Sequence, residues 1–415
     1  MSFIIAAPAS GSGKTTVTLG LLRAISQVTP VRAAKSGPDY IDPQFHAAAC
    51  GQPCINLDAW AMHPDQIKSR AAGDTPLIIE GAMGLFDGAP PDGKGATADL
   101  ARILNLPVVL VVDAGKMAGS IAPLVHGFIN HDASVNIAGV ILNNVGSPRH
   151  EDMLRRALAD VTIFGAIPRR GDLHHPSRHL GLVQAQERPD LETYLNGAAS
   201  LVRDTVDVDA LMGLHGGALS HCAVTPQPPP AQRIAVARDA AFAFCYPHIL
   251  QDWRTAGAEV AVFSPLANES APDADLIYLP GGYPELHAAQ LAANDVFHAS
   301  LRRSTAMIYG ECGGYMVLGD TLTDASGTVH RMAGLLALDT SFAIRKRHLG
   351  YRSIVASAGP FAGHWTAHEF HYATTVRASG TPLFLAKDAA GATLPDMGLI
   401  DGRVSGSFAH IIDRM

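Results

Sequence analysis

A glycine-rich loop between an apolar run and a helical pattern constrains the fold more than any other feature. The apolar run Phe3-Ile4-Ile5-Ala6 predicts a buried strand, and the segment Ser10-Gly11-Ser12-Gly13-Lys14-Thr15-Thr16 separates it from a helical periodicity over 17–25. In this context the N–H groups of the turn can bind phosphate oxygens, while Lys14 reaches the terminal phosphates and the Thr15 hydroxyl binds Mg²⁺. The sequence therefore predicts a nucleotide-binding phosphate loop, although Pro8 stands where the motif usually has its first glycine.

Continuous apolar runs recur along the chain and predict parallel sheets. They include Leu77-Ile78-Ile79, Val108 to Val112, Val140-Ile141-Leu142, and, further on, Ile234 to Ala237, Val260 to Phe263 and Leu276 to Leu279. Continuous rather than alternating hydrophobicity indicates strands buried on both faces by helices. The proline-rich segment Pro226-Gln227-Pro228-Pro229-Pro230 and the glycines before it separate the two groups of runs. We predict two α/β domains, 1–205 and 233–415, joined by a linker over 206–232.

The composition and net charge indicate a globular protein and disfavour some classes of partner. A chain of 415 residues with 47% hydrophobic and 17% charged residues is expected to form two well-buried domains. The net charge of −7, without a long Lys/Arg run, disfavours a nucleic-acid partner. The five cysteines have no framework spacing and suit a reducing cytoplasm, and no apolar stretch is long enough to cross a membrane. We expect a soluble cytoplasmic protein, and we interpret His174, His175 and His179 as part of a solvated loop.

Acidic side chains follow several of the predicted strands. Glu80 ends a buried run, where an unpaired charge is costly, so a metal ion or a cationic side chain is its expected partner. Asp39 and Asp42 lie near Pro38 and Pro43, where they fit either metal ligands or turn residues. Asp113 ends the strongest apolar run, and Asn143 and Asn144, which close the next, fit either recognition of a nucleotide base or a turn.

A cysteine lies at a sharp turn in the second half of the chain. The run Ala306-Met307-Ile308 leads into Tyr309-Gly310-Glu311-Cys312-Gly313-Gly314-Tyr315-Met316. A strand that ends in a glycine-flanked turn before a helix exposes one side chain for attack on a carbonyl. The pattern predicts a nucleophile elbow carrying a thiol, with a buried structural cysteine as the alternative.

Together these residues resemble the cobyrinic acid a,c-diamide synthase family, including its members that act on cobalt-free hydrogenobyrinic acid. The resemblance covers nearly the whole chain. It is carried by the phosphate loop and by the segments Lys35 to His46, Glu80 to Gly88, Pro176 to Leu182, Leu279 to Glu285, Tyr309 to Met316 and His368 to Tyr372.

The resemblance implies a dethiobiotin-synthetase-like P-loop domain with a parallel sheet, fused to a flavodoxin-like class I glutamine amidotransferase domain. Cys312 takes the place of the family's nucleophile, and His410, within Ser405-Gly406-Ser407-Phe408-Ala409-His410, that of its base. Backbone N–H groups around Gly282 and Gly313 would form the oxyanion hole. Many class I amidotransferases carry an acid two residues after this histidine, where this chain has Ile412. The third member is therefore absent or supplied from elsewhere.

The resemblance also implies the reaction and its ligands. Thr15, Asp39 and Glu80 would bind Mg²⁺, and Asp42 and Asp87 would lie nearer the carboxylate that ATP phosphorylates. Ammonia from L-glutamine would then displace phosphate at the a and c acetate groups of a corrinoid, hydrogenobyrinate or cobyrinate, in cobalamin biosynthesis. Such a ligase would have ATP, glutamine and the corrinoid as partners, and dethiobiotin-synthetase-like domains tend to form homodimers.

Two other functions compete with this interpretation. Cobyric acid synthase amidates other corrinoid side chains, but Gly37-Pro38-Asp39-Tyr40-Ile41-Asp42 fits the a,c-diamide type better. A partitioning-type P-loop switch ATPase usually carries a lysine early in its loop, where this chain has Ala9, and has no use for Cys312 and His410. We favour the cobalt-free corrinoid. His368, Glu369 and His371 fit corrinoid contact, a domain interface or packing.

Overall fold

Residues 2–171, 177–178, 181–182, 184–217, 219 and 224–415 are described by a computed structural model. The chain divides into two units, Met1–Val224 and Thr225–Met415. The segment 206–232, which the sequence assigns to a linker, contains a short helix and the point of division. Among the described residues, no helix combines the length and the apolar character that crossing a bilayer requires.

The first unit alternates strands and helices. Its strands are β1 (Ser2–Ala6), β2 (Arg32–Ser36), β3 (Cys54–Leu57), β4 (Leu77–Glu80), β5 (Val108–Asp113), β6 (Ile137–Val145), β7 (Ile163–Pro168), β8 (Ser177–Arg178) and β9 (Gly181–Leu182). Its helices are α1 (Lys14–Ser26), α2 (Asp42–Cys50), α3 (Pro64–Ala71), α4 (Thr97–Leu104), α5 (Ile121–His131), α6 (Pro148–Ala157), α7 (Leu191–Thr205) and α8 (Val208–Met212), with a 3₁₀ turn at Ala185–Glu187.

Seven parallel strands of this unit form one sheet in the order β3-β2-β4-β1-β5-β6-β7. All residues of β1 and β4 are buried, as their continuous apolar runs predict. In the strand register Glu80 lies opposite Ile5 on one side and Lys35 on the other. The carboxyl ends of β1, β2 and β4 therefore bring the phosphate loop, Lys35 and Glu80 to one edge of the sheet.

Helix α1 packs closely against α7, and a glycine makes this approach possible. A Cβ on Gly20 would lie 2.6 Å from Val202 Cγ2 and 2.7 Å from the Ala198 carbonyl oxygen. Contacts this short do not occur at real Cβ atoms, so a larger residue would push the two helices apart. The helix that begins at the phosphate loop is thereby fixed against the body of the unit.

The second unit contains more strand than helix. Its strands are β10 (Arg233–Ala237), β11 (Glu259–Phe263), β12 (Leu276–Leu279), β13 (Met307–Glu311), β14 (Thr321–Thr323), β15 (Val329–Arg331), β16 (Leu338–Ser341), β17 (His348–Ala356), β18 (Gly363–His371), β19 (Thr374–Ala378), β20 (Leu385–Lys387), β21 (Leu399–Asp401), β22 (Val404–Ser407) and β23 (Ala409–Arg414). Its helices are α9 (Pro247–Thr255), α10 (Ala288–Ala292), α11 (Asp295–Arg303) and α12 (Gly313–Leu318), with a 3₁₀ turn at Pro284–Leu286.

Three sheets organise these strands. The largest has the order β11-β10-β12-β13-β22-β21 and is parallel except for β21. Its edge strand β11 is partly exposed, with Val262 53% accessible, although its apolar run predicts full burial. Two four-stranded sheets, β15-β14-β16-β19 and β20-β17-β18-β23, complete the unit. The α/β class predicted for this half is confirmed, and the two smaller sheets are an addition to it.

A change of sheet near the C-terminus positions His410. Strand β22 runs parallel to β13 in the largest sheet, with Ser407 opposite Glu311. One residue later the chain enters β23, which pairs with β18 in a smaller sheet and sets His410 opposite His368. Two sheets thereby meet at the end of β13, where Cys312 follows.

Candidate active sites

The phosphate loop turns into α1 at a glycine that no other residue could replace without strain. Gly13 has φ 91°, in the left-handed region, and the helix begins at Lys14. The Asn143 side chain lies against Gly13, and its Nδ2 donates to the Ser12 carbonyl oxygen at 2.9 Å. Asn143 therefore braces the loop from the end of β6, a role that its place after an apolar strand did not predict.

A cavity of about 650 Å³ opens beside this loop. The cavity is lined by loop residues, by charged groups from β2, α2 and β4, and by polar ends of β6 (Ser10, Gly11, Gly13, Lys14, Thr15, Thr16, Lys35, Asp39, Asp42, Glu80, Asn143 and Asn144). Its size lies within the range of sites for small ligands. Most residues predicted for nucleotide and metal binding therefore surround one space.

Lys35 is the cationic partner of the buried Glu80 side chain. Its Nζ donates to Asp42 Oδ2 at 2.6 Å and to Glu80 Oε1 at 2.9 Å, and Asp39 Oδ2 lies 4.0 Å away. Burial by itself lowers the pKa of Lys35, but the three carboxylates outweigh burial and hold that pKa well above its usual range. Lys35 is thus a charged centre of the site, and the sequence did not single it out.

Glu80 has two further partners. Thr15 Oγ1 donates to Glu80 Oε1 at 2.7 Å, and His46 Nε2 lies 2.6 Å from Glu80 Oε2. Burial alone would raise the pKa of Glu80, yet Lys35, His46 and Thr15 hold it well below its usual range. An ionised Glu80 beside Thr15 is the arrangement that a metal-binding carboxylate requires.

Lys14 does not extend freely from the loop. Its Nζ donates to the Met83 carbonyl oxygen at 2.6 Å, across the turn that follows β4. Burial lowers the pKa of Lys14. Met83 itself has φ 50° and is 57% exposed, so the turn that receives the lysine is strained and open to solvent.

The remaining acids differ in their surroundings. Asp39 Oδ1 accepts from the N–H groups of Ile41 and Asp42, as a turn residue does, while burial and the neighbouring Asp42 raise the pKa of Asp39 to about 6. Asp87 Oδ2 accepts from Gly84 N at 2.9 Å and does not line the cavity. Asp113, expected to face the ligand, is exposed and accepts from Gly115 N and Asn144 Nδ2.

Cys312 occupies the predicted elbow between β13 and α12. Its backbone has φ 46° and ψ −100°, a conformation that non-glycine residues rarely adopt. The thiol is buried, with the residue 4% exposed, and its Sγ lies 4.0 Å from the Phe370 carbonyl oxygen. The turn is therefore strained at the one residue that carries the sulfur.

His410 lies beside this thiol across Gly281. The position that a Cβ on Gly281 would take overlaps His410 Cε1, and it lies 3.0 Å from His410 Nε2 and 3.3 Å from Cys312 Cβ. The Nε2 edge of the imidazole and the cysteine side chain thus face the same small volume. A side chain at position 281 would fill it.

Burial favours the neutral forms of both groups. It raises the pKa of the Cys312 thiol far above its usual range. Burial, together with the neighbouring His368 and His371, lowers the pKa of His410 to about 3. A neutral imidazole beside a neutral thiol can accept the thiol proton, which is the state a base needs before reaction.

The two glycines predicted to form the oxyanion hole lie together at the elbow. A Cβ on Gly313 would lie 3.0 Å from Gly282 N, and one on Gly282 would overlap the Ala241 carbonyl oxygen. A hydrogen bond from the Gly313 N–H favours negative charge on Cys312, although burial outweighs it. The Gly313 N–H is therefore close to the sulfur, where tetrahedral charge would develop, and Gly282 N lies next to Gly313.

An acid that the sequence left unassigned also reaches this site. Glu311 Oε2 lies 3.6 Å from His410 Nδ1, and both side chains are about 1% exposed. Ile412, where the resemblance would place an acid, is fully buried.

The segment His368 to Tyr372 lies beside the thiol. His371 Nε2 is 2.9 Å from Glu369 Oε1, and Arg352 donates to Glu369 Oε2 at 2.7 Å. The donor atoms of His348, Glu369 and His371 lie within 4.8 Å of one another. A cation does not suit this group, because Arg352 and His371 already engage both oxygens of Glu369. Of the three roles left open for this segment, packing against the thiol site is visible here.

Four cysteines of the described part of the chain, Cys50, Cys54, Cys245 and Cys312, are free thiols. Cys54 is buried, and its Sγ lies 3.6 Å from His46 Nδ1. His174, His175 and His179 lie outside the described residues, as do Pro176 and Leu180 of the segment 176–182 and Cys222.

Comparisons with known proteins identify two domain families in this chain. Residues 3–183 match the family described as a CobQ/CobB/MinD/ParA nucleotide binding domain, and residues 233–414 match a CobB/CobQ-like glutamine amidotransferase domain. A protein of Brucella abortus is 54% identical over 99% of this chain and 98% of its own length. One of Rhodobacter capsulatus is 50% identical over 98% of both chains. Both are named hydrogenobyrinate a,c-diamide synthase.

Solved structures are less similar to this chain than the two relatives named above. The septum site-determining protein MinD of Pyrococcus horikoshii, complexed with Mg-ADP, aligns with 51% of this chain and 98% of its own at 18% identity and a TM-score of 0.34. The full-length relatives carry the assignment: the chain belongs to the hydrogenobyrinate a,c-diamide synthase family, in which a nucleotide binding domain and a glutamine amidotransferase domain share one polypeptide.

Proposed function

We propose that this chain amidates the a and c acetate carboxylates of hydrogenobyrinate, with ATP as activator and L-glutamine as nitrogen donor, in cobalamin biosynthesis. The observation that carries the proposal is the presence, in one chain, of a charged cavity at a phosphate loop and a buried thiol beside an imidazole. The name and near-complete overlap of the relatives favour the cobalt-free substrate.

The second unit would release ammonia. His410 accepts the proton of Cys312, and the thiolate attacks the glutamine side-chain carbonyl while backbone N–H groups at Gly282 and Gly313 bind the developing oxyanion. Ammonia leaves with the proton that His410 held, and water then hydrolyses the thioester to glutamate. The contacts across Gly281 and at the elbow support these roles.

The first unit would activate the carboxylate. A carboxylate oxygen leaves poorly until it is phosphorylated, so the γ-phosphoryl group of ATP is transferred to the acetate and ammonia displaces phosphate from the acyl phosphate. The phosphate-loop residues Ser10 to Thr16 would bind the nucleotide. Asp42 and Asp87 are proposed near the acetate group, and Lys35, within 2.6 Å of Asp42, would counter the charge of the phosphoryl group during transfer.

Thr15, Asp39 and Glu80 would hold Mg²⁺. The three line one cavity and offer a hydroxyl and two carboxylates, and such oxygen donors suit this ion. Mg²⁺, when bound there, neutralises charge on the phosphates of the nucleotide. The cytoplasmic location and the homodimer implied by the resemblance remain predictions.

The test is incubation of the purified protein with ATP, Mg²⁺, glutamine and either hydrogenobyrinate or cobyrinate, followed by mass spectrometry of the product. We expect two amides on hydrogenobyrinate. A larger number of amides would favour the cobyric acid synthase type of reaction, and ATP hydrolysis without amidation would contradict the proposal and favour a switch ATPase.

Cys312→Ala is the matched variant for the glutamine step. We expect it to abolish glutamine-dependent amidation and glutaminase turnover, while ammonium chloride still supports amidation because the first unit is unchanged. Cys50→Ala, at a buried cysteine of the first unit, is the control. Glutaminase turnover that survived in Cys312→Ala would remove Cys312 from the mechanism.

A further inference from the structure

Glu311 lies on the Nδ1 side of the His410 ring. Its Oε2 is 3.6 Å from His410 Nδ1, whereas Nε2 faces the volume shared with the Cys312 side chain. The three groups are therefore ordered as acid, imidazole and thiol. This is the order in which an acid can fix the tautomer of a catalytic histidine.

The carboxyl group of Glu311 is held in place by two donors from other elements. Tyr278 of β12 donates its hydroxyl to Oε2 at 2.8 Å, and the Ile411 N–H of β23 donates to Oε1 at 3.1 Å. The Ile411 N–H follows His410 directly in the chain, so the acid and the imidazole share one fixed frame. A side chain with both oxygens anchored cannot turn away from the ring without breaking a buried hydrogen bond.

Burying the charged form of Glu311 costs free energy unless a partner compensates for the charge. Glu311 is 1% exposed, and burial raises its pKa to about 8. A glutamine in its place would accept from the same Ile411 N–H without the cost of burying a charge. The feature that distinguishes a glutamate here is its ability to carry negative charge beside His410 Nδ1.

We propose that Glu311 is the positioning acid of the thiol site: its carboxylate accepts the Nδ1–H of His410, so that Nε2 faces the thiol as the proton acceptor. The imidazolium that forms when His410 takes the proton of Cys312 then has a counter-charge. This proposal rests on the glutaminase role of Cys312 and His410. In this chain Glu311, which precedes the proposed nucleophile, would take the role of the acid that the resemblance places two residues after the histidine.

Other titratable groups lie near Glu311, His410 and Cys312 and influence the pKa values of these three residues. Tyr278, Tyr309 and Cys245 face Glu311, while His368, His371 and Glu369 act on His410, and Glu285 and Glu369 act on Cys312. The variants below leave these groups in place, except the tyrosines that are changed by design.

Glu311→Gln is the decisive variant, because it keeps shape and removes charge. We expect the glutaminase kcat to fall by roughly 10²-fold or more with KM for glutamine little changed. Ammonia-dependent amidation should persist. Alkylation of Cys312 by iodoacetamide should slow near neutral pH and its pH profile should move to higher pH, because the imidazolium that pairs with the thiolate has lost its counter-charge.

Three results would overturn the proposal. One is wild-type turnover in Glu311→Gln, and another is alkylation slowed equally at every pH, which indicates a purely structural effect. The third involves Tyr278→Phe, which removes one anchor of Glu311 and should lower kcat by roughly fivefold. Its control is Tyr309→Phe, which removes an equally buried hydroxyl from the neighbouring strand. If the two tyrosine variants behave alike, the proposal fails, even where Glu311→Gln does not fold.

The same experiments separate this inference from the function on which it rests. Turnover that persists in Cys312→Ala removes the glutaminase mechanism itself. Turnover lost in Cys312→Ala but unchanged in Glu311→Gln leaves the mechanism standing and removes only the role of Glu311.

Discussion

The two candidate sites manage buried charge in opposite ways. At the phosphate loop, Lys35 lies between Asp42 and Glu80, and the charges of Lys35 and Glu80 favour each other's ionised form. At the elbow, burial drives Cys312 and His410 towards their neutral forms. A site for a polyanion and a metal ion benefits from fixed charges, whereas a site that moves a proton benefits from groups that carry charge only during the reaction.

The largest expected effect comes from removing the central acid of the charged site. Glu80→Ala should lower amidation by roughly 10³-fold or more, because a carboxylate beside Thr15 is lost from the proposed metal site. Glutaminase turnover should be unchanged. Product formation and glutamate release, measured in parallel, check this, with the exposed Glu192→Ala as control. Loss of glutamine hydrolysis in a folded Glu80→Ala protein would show that the two sites are coupled.

Removing the cation tests whether the charged site stabilises the fold. Lys35→Met leaves the buried carboxylates of Asp42 and Glu80 without their common partner, which should cost about 3–5 kcal/mol of unfolding free energy. Urea unfolding followed by circular dichroism measures this cost. Lys68→Met, at an exposed lysine of α3, should unfold like the wild type. Equal stability of the two variants would mean that Lys35 is not required to balance these charges.

The activity of the thiol site should be sensitive to an added methyl group beside Cys312 and His410. In Gly281→Ala the new methyl group overlaps His410 Cε1 and contacts Cys312, so the imidazole must move. We expect the glutaminase kcat to fall on the order of 10²-fold, because a displacement of about 1 Å misaligns the base. Gly127→Ala, whose Cβ would meet nothing within 4 Å, is the control. An unchanged kcat in Gly281→Ala would place the working imidazole elsewhere.

A smaller effect on stability than that of Lys35→Met is expected at Glu369, a strongly ionised group near the thiol. Burial by itself raises the pKa of Glu369, but His371 and Arg352 outweigh it and lower that pKa to about 2. A lowered folded-state pKa stabilises the fold above the ordinary value of 4.5, and this stability is lost as the pH falls from about 4.5 to about 2. The contribution is roughly 3 kcal/mol.

Glu369→Gln should therefore be less stable at neutral pH and show a flatter dependence of unfolding free energy between pH 4.5 and 2. Denaturant unfolding at several pH values measures it, with Glu259→Gln, an exposed acid of β11, as control. Identical pH profiles for the wild type and Glu369→Gln would contradict the pairing.

The sequence predicted the fold where the signal is local. Continuous apolar runs indicated β1, β4 and β5 and the parallel sheet, and the elbow strand was identified from Ala306-Met307-Ile308. The small sheets of the second unit were missed because strands such as β15 and β19 are short and mostly exposed, so they carry no continuous apolar run.

Partners that depend on strand register could not be predicted. The sequence indicated a cationic or metal partner for Glu80, but Lys35 reaches it only because β2 and β4 pair in one register. Asn143 braces the phosphate loop from 131 residues away. Glu311 precedes Cys312 in the chain, yet its relation to His410 depends on how β13, β22 and β23 meet.

The backbone conformation at Cys312 favours glycine for stability, whereas the proposed reaction requires a cysteine thiol at this position. At φ 46° an L-residue is strained, and a glycine would adopt the turn with less strain, by on the order of 1–3 kcal/mol. Random mutagenesis screened for thermal tolerance alone would therefore tend to select Cys312→Gly and discard the proposed nucleophile. The thiol survives only under selection for turnover, so directed evolution for robustness in this chain must score chemistry at every round.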